Sequence, residues 1–436
     1  MQNAQNLTRH PEILEIADRI RQNTSEGKYL VSDLIVREGG REYQFVDLVM
    51  EGGGTLGIAL VGYIHALEQA DIRFLGMGGS SVGAIVALLA YGCGERLEPK
   101  GEKLADIIGN MNLGDLVDGG FIARKLSRLL GENKARLRAV RAFFELLLSL
   151  PELITKLGLN PGDKLFNWIS EQLGENGIET LEDLEKLTGK LPKGLLYRGT
   201  KTNIINFDAS LKIVAADVTT STKVTFPEMT EMYWKNRAAV NPASFARASA
   251  SIPGFFQPYA LRGVKDIIGQ GEMWEKTGGF KGNPPDTVMF ADGGLLSNFP
   301  IDLFKRRGRA LAPTFGVRLG DKKRSATEIK KVSHYATGII NALMQYSIYD
   351  FIYKNPLYNH LIEHINVDQF NWLDFNMGEG DKFKLFKEGA LAAEKFLDKF
   401  DWQGYKSLRE AEYNLYRAQK MMEKNSEDDA DAAGAL

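Results

Sequence analysis

Apolar positions in this chain cluster in short strand-like runs, and the early runs are followed by glycine turns and then by helix-period segments. The stretch 44–50, closing on Val46-Asp47-Leu48-Val49-Met50, predicts a strand, and 57–70 predicts a helix. A second strand at 72–77 is followed by a helix over 82–92, which opens Val82-Gly83-Ala84-Ile85-Val86. Later strand-like runs are Lys212 to Asp217, Thr287 to Ala291 and Thr314 to Leu319, with a further one around His364 to Val367. Strands alternating with helices of this length predict an α/β fold whose mostly parallel sheet is covered on both faces. A helical insertion is expected over about 103–190. After Ser325 the chain reads as mostly helical, with an amphipathic run from Phe383 to Phe400. Residues 1–42 read as an N-terminal extension, helix-like from Pro11 to Arg21 and loop-like around Glu38-Gly39-Gly40-Arg41. Residues 401–436 read as a helix ending in an acidic, disordered tail from Asn425 to Gly434. No internal repeat is visible.

Two of the turns carry chemistry. Gly52-Gly53-Gly54-Thr55-Leu56-Gly57 follows the first strand and offers consecutive backbone N–H groups. Gly79-Ser80-Ser81-Val82-Gly83 follows the second strand and leads into a helix. A G-x-S-x-G frame between strand and helix is the sequence form of a nucleophile elbow, which lifts the serine hydroxyl out at the sheet edge. Ser81 occupies the middle of that frame, and Ser80 is its rival. The plain alternative is a glycine-rich connection whose serines cap the helix. A phosphate-binding loop at the triple glycine is a minor alternative, because no Lys-Ser or Lys-Thr closes the turn. The strand Thr287–Ala291 delivers Asp292-Gly293-Gly294, a candidate base with room for close backbone approach, or else an ordinary Asp-Gly turn. The five histidines, His10, His65, His334, His360 and His364, sit in the extension or in helical regions and read as structural or solvent-facing.

Composition narrows the classes. The chain has 436 residues, 44% of them hydrophobic, so it can bury a large core. A formal net charge of −2 argues against a general nucleic-acid binder. Cys93 is the sole cysteine, which forbids an intramolecular disulfide and suits a reducing compartment. The first residues lack an apolar signal-type core. The longest apolar stretch, Ala139 to Leu159, is interrupted by Arg141, Glu145, Pro151, Glu152 and Lys156, so it does not read as a membrane span. The expected location is cytoplasmic, with peripheral membrane contact through about 124–157. There Arg124, Lys125, Arg128, Lys134, Arg136, Arg138 and Arg141 precede the apolar run Phe143 to Leu150. A helical insertion packed on the sheet is the competing reading.

Taken in order, Gly52 to Gly57, Gly79 to Gly83 and Asp292-Gly293-Gly294 resemble the three signature blocks of patatin-like phospholipases. Ala248 to Pro258 and Val214 to Asp217 are similar to two quieter blocks of that family. The resemblance covers roughly 44–400 and implies a three-layer α/β/α catalytic domain over 43–400. It further implies a Ser81–Asp292 dyad without histidine and an oxyanion hole of Gly52, Gly53 and Gly54. Gly57, Gly79, Gly83, Gly293 and Gly294 would support these turns. No metal or cofactor is implied, and the substrate would be a phospholipid or lysophospholipid. Family members often carry Arg or Lys before the last glycine of the first block, where this chain has Leu56. Members acting on neutral lipids also carry an apolar residue there, so acylglycerols remain open. Two other readings stand beside this one: an α/β-hydrolase triad using His360 or His364, and a lipid-binding scaffold that has lost catalysis.

Overall fold

A computed structural model describes residues 7–120, 124, 156–202, 204, 207, 209–267, 271–306, 310–320, 329 and 332–434. The segment 124–157, expected to touch membranes, lies outside these apart from residues 124, 156 and 157.

Helix α1 (Pro11–Ser25) leads to a hairpin of β1 (Leu34–Glu38) and β2 (Arg41–Met50). Then come α2 (Gly57–Gln69), β3 (Ile72–Ser80), α3 (Val82–Gly92) and α4 (Gly101–Gly109). Next are β4 (Gly158–Asn160), α5 (Asp163–Gly174), α6 (Leu181–Thr188) and β5 (Leu196–Tyr197). The middle of the chain supplies β6 (Leu211–Asp217), β7 (Thr222–Phe226), α7 (Ala243–Ser249), β8 (Gly254–Phe256) and β9 (Tyr259–Arg262). It ends with α8 (Gly271–Lys276), β10 (Thr287–Ala291), α9 (Gly294–Ser297), β11 (Thr314–Leu319), α10 (Val332–Lys354), β12 (Ile362–Ile365), α11 (Glu379–Lys399) and α12 (Trp402–Gly434).

Ten strands form the main sheet, along the path β12-β11-β2-β3-β6-β10-β9. From β12 to β6 the pairs are parallel. This is the expected core of an α/β fold, buried on both faces and correspondingly apolar: every residue of β3 is buried. On one face α2 and α11 cross so closely that a Cβ at Gly62 would lie 2.0 Å from the Phe386 carbonyl oxygen. On the other face Val49, Phe299, Phe304, Ile348 and Trp402 form a second core.

Two expectations need correction. The loop read around Glu38–Arg41 is a hairpin turn, so residues 34–38 and 41–42 are strand rather than extension. Gly39 and Gly40 both have positive φ there, which the turn requires and which looks like disorder in sequence. Helix α12 runs through the acidic residues to Gly434 instead of dissolving after Asn425. One further feature, which a mostly parallel sheet allows, matters most for function. β10 runs antiparallel to β6, against the parallel direction of β3.

That reversal builds the site. β7 pairs with β6 along 213–217 and occupies one edge of it. The other edge is shared end to end. β3 lies against residues 211–214 and finishes at Ser80 opposite Val214, while β10 arrives from the far end, with Ala291 opposite Ala216. The two strands meet head-on. The residues that follow them, Ser81 and Asp292, are therefore delivered to the same place beside Ala215.

Candidate active site

Ser81 sits at φ 52°, ψ −124°, a conformation that L-residues rarely adopt and that persists only when its surroundings enforce it. The enforcement comes from small residues on either side. A Cβ at Gly79 or at Gly83 would lie 2.4 Å from the Met50 carbonyl oxygen, so only glycine lets the elbow close against β2. A Cβ at Gly57 would strike the Val82 side chain at 2.4 Å. Ser80 is excluded as nucleophile, since it is fully buried and its hydroxyl donates to the Ser297 carbonyl at 2.6 Å.

Asp292 is 5% exposed. Gly293 brings it close, because a Cβ there would lie 2.0 Å from the Val214 carbonyl oxygen. Its Oδ1 accepts the Gly294 N–H at 2.7 Å, and its Oδ2 is buried with no hydrogen-bond partner of good geometry. Burial pushes the carboxyl pKa up to about 6; the neighbouring Ser81 hydroxyl and the Gly294 N–H pull it down less strongly. The hydroxyl is thus close enough to act on the carboxyl, in the loose arrangement common before substrate binds.

The donors above the serine differ from the expected set. The Gly52 N–H is committed to the Asn298 carbonyl at 3.0 Å, so Gly52 is not a donor to substrate. Among the described residues the N–H groups of Gly53 and Gly54 have no acceptor. The Val82 N–H, at the first turn of α3, has none within the helix. Gly54 has φ 59°, and a Cβ there would lie 2.1 Å from the Trp372 carbonyl oxygen. Val82 was missed from sequence, although the residue after an elbow nucleophile is the usual second donor.

Sequence reading also passed over Ser249. Its hydroxyl accepts the Ser81 N–H at 2.9 Å and donates to the Val214 carbonyl at 2.6 Å. Its own carbonyl accepts the Gly293 N–H at 3.0 Å, and the next serine on, Ser251, accepts the Asp292 N–H through its carbonyl at 2.8 Å. One fully buried residue thus ties the serine turn and the aspartate turn to the strand between them.

Ser81, Gly54 and Val82 open on an apolar cleft. Its walls include Ile58, Ile85, Leu113, Trp168, Phe256 and Met377. Among the described residues the one charged side chain lining it is Lys382, whose ammonium is tied to the Gly109 and Met111 carbonyls and to Glu379 at 2.8–3.0 Å. No histidine among the described residues lines it. His364 stands on β12, three strand spacings from β3, or about 14 Å. His65 is half-buried on α2, and desolvation lowers its pKa to about 4, so it stays neutral. His10 caps α1, accepting the Glu12 N–H. Among the described residues no His, Cys, Asp and Glu cluster could hold a metal, and no helix is long and apolar enough to cross a membrane.

A hydroxyl beside a buried carboxyl, under unpaired amides and at the mouth of a greasy cavity, can attack a carbonyl attached to a long apolar chain. The chain belongs to the patatin-like phospholipase family, whose sequence model matches residues 48–305; this is a family of lipid acyl hydrolases. It is similar to YqhO, described as an uncharacterized protein of Bacillus subtilis (strain 168). The two are 26% identical over 363 residues, covering 82% of this chain and 100% of the relative. Among solved structures it is similar to VipD from Legionella pneumophila, with 16% identity and a TM-score of 0.35, over 88% of this chain and 73% of that one.

Proposed function

We propose that the protein hydrolyses the carboxylic esters of phospholipids or lysophospholipids through an acyl-enzyme on Ser81, with Asp292 as base. The observation that carries the reading is the head-on meeting of β3 and β10, which sets the strained Ser81 beside a carboxyl with a raised pKa. The acyl chain enters the apolar cavity, which places the ester carbonyl at its mouth. As Oγ of Ser81 attacks, Asp292 accepts the proton, and the oxyanion forms under the Gly53, Gly54 and Val82 amides. One such donor is worth about 3 kcal/mol in the transition state. The leaving alcohol takes the proton from Asp292, and a water deprotonated by the same carboxylate then attacks the acyl-enzyme and frees the fatty acid. A base with a pKa near 6 suits this cycle: it is ionised at neutral pH yet holds a proton well enough to accept one. Ser249 acts as a positioning residue, holding both turns in register.

A second reading, acylglycerol hydrolysis, draws on one observation. Among the described residues no free charge lines the cavity, and Leu56, where many relatives carry a cation, is fully buried. The site therefore reads the acyl chain rather than the head group. The histidine triad is disfavoured by the distance of β12 from Ser81. Incubating the protein with mixed-lipid vesicles and profiling products, beside Ser81→Ala, tests the reading. Fatty acid and lysolipid released by the wild type alone support it, and diacylglycerol-derived products alone shift it to neutral lipids. Failure of a fluorophosphonate to label Ser81 overturns it.

A further inference from the structure

A surface helix ordinarily has one apolar face, turned to the core. Helix α10 has two. Inward, Ile348 is buried with Phe299, Tyr358 and Leu361, and Met344 reaches to within 3.1 Å of where a Gly294 Cβ would stand. Outward, Tyr335, Ile339, Leu343, Tyr349 and Tyr353 are 44–76% exposed. At 100° per residue these five fall within an arc of about 120° down one side of the helix, where Asp350, paired to Lys354, also stands. Tyr349 and Tyr353 stack on each other at 6.2 Å within that stripe.

The stripe is placed beside the candidate site. α10 packs on α9, the short helix that begins two residues after Asp292, where Leu296 is also exposed. We infer that this outer face of α10 seats the protein on a lipid surface, lying in the interface with its apolar stripe among the acyl chains. Three observations select lipid over another occupant. Three of the five outward residues are tyrosines, whose rings suit an interface that is apolar on one side and wet on the other. In sequence, residues 321–331, just ahead of the helix, carry Lys322, Lys323, Arg324, Lys330 and Lys331 against Asp321 and Glu328, a charge that favours anionic head groups. The helix does not qualify as a membrane span, so the mode is interfacial, as for other two-signal anchors. The choice of occupant rests on the lipid-hydrolase reading; the existence of the stripe does not.

The test is flotation with phosphatidylcholine vesicles containing phosphatidylglycerol. It compares the full chain with a triple variant, Ile339→Ser, Leu343→Ser and Tyr353→Ser, whose thermal melt is checked first. The expected result is at least a ten-fold weaker partition of the variant, a similar loss of hydrolysis of vesicle lipid, and unchanged turnover of a soluble short-chain ester. Should the triple variant not fold, Tyr353→Ser alone, at the most exposed position, is expected to weaken partition several-fold. Equal flotation of variant and wild type overturns the proposal, as does a wild type that does not float. So does a wild-type dimer that the variant dissociates without changing vesicle binding, which assigns the stripe to a second copy. A wild type that floats yet hydrolyses neither vesicle lipid nor soluble ester defeats the catalytic reading and leaves the docking result standing.

Discussion

Glu51 and Asp292 are both carboxylates buried at the same edge of the sheet, one on each side of the glycine loop, and their surroundings are opposite. Glu51 is 3% exposed and well matched: Arg318 donates to Oε1 at 2.8 and 3.2 Å, the Leu319 N–H to Oε2 at 2.7 Å, and Asn298 at 3.4 Å. Glu363 and Asp47, buried along the same sheet, also face cations, Lys395 and Arg306. Asp292 accepts one amide, has no cation among its charge neighbours, and leaves Oδ2 unpaired. Similar burial is therefore compensated in one place and left uncompensated in the other. On the proposed reading the base is the carboxylate whose desolvation the fold does not offset.

The comparison breaks most visibly under substitution. Asp292→Asn and Ser81→Ala are each expected to lower ester turnover by about a thousand-fold or more while the chain stays folded. Turnover near wild type by either purified variant would refute the dyad. In stability the two carboxylates are expected to respond with opposite signs. The Asp292 pKa is raised from 3.8 to about 6, so the folded state holds that proton more tightly than the unfolded one. Its contribution is full below pH 4 and is lost as pH rises through 6. Above that window Asp292→Asn removes the burden and is expected to gain up to about 3 kcal/mol, from a shift of some two pH units. Glu51→Gln removes the charge that faces the largely buried Arg318 guanidinium and is expected to lose about 2–4 kcal/mol. Urea denaturation at pH 8 measures both, and equal signs would dissolve the contrast.

The pH profile sharpens the same point. With Asp292 as base, kcat/KM is expected to fall about ten-fold per pH unit below pH 6, with a single apparent pKa near 6. A profile flat down to pH 4.5 would mean that another group takes the proton.

How much of this could be read beforehand follows from what each feature depends on. The bounds of α2 and α3 were legible to within a residue because apolar period and glycine turns mark them locally, and Ser81 and Asp292 were named from such turns; β3 runs three residues past the expected 77, to Ser80. The direction of β10 was not legible: five apolar residues look the same whether the strand runs with or against its neighbours, and only pairing decides. Gly52 was mistaken for a donor because the acceptor that claims its N–H, Asn298, is 246 residues away. The Ser249 hydroxyl, 168 residues from Ser81, was invisible for the same reason. Its test is the next smaller effect. Ser249→Ala orphans the buried Ser81 N–H and is expected to lower kcat about ten- to a hundred-fold with KM nearly unchanged, since the cavity is untouched. A rise in KM with constant kcat would place Ser249 in substrate binding instead.

The smallest expected effect falls on the far edge of the sheet. His360 and His364 line a polar groove with Glu363, Asp368 and Lys395, and His364 Nδ1 lies 3.0 Å from the Gly320 carbonyl oxygen. Chain order alone lets a histidine complete a Ser-Asp-His triad, and this groove is where such a histidine would have to come from. Reaching Ser81 would mean crossing β11 and β2, whose parallel pairing with β12 and β3 fixes both strands in the middle of the sheet. The double variant His360→Ala, His364→Ala is therefore expected to keep ester turnover within about two-fold of wild type, with a stability loss on the order of 1 kcal/mol. A hundred-fold fall in kcat with an intact melting transition would bring the histidines into the site and remove the burden of proton transfer from Asp292.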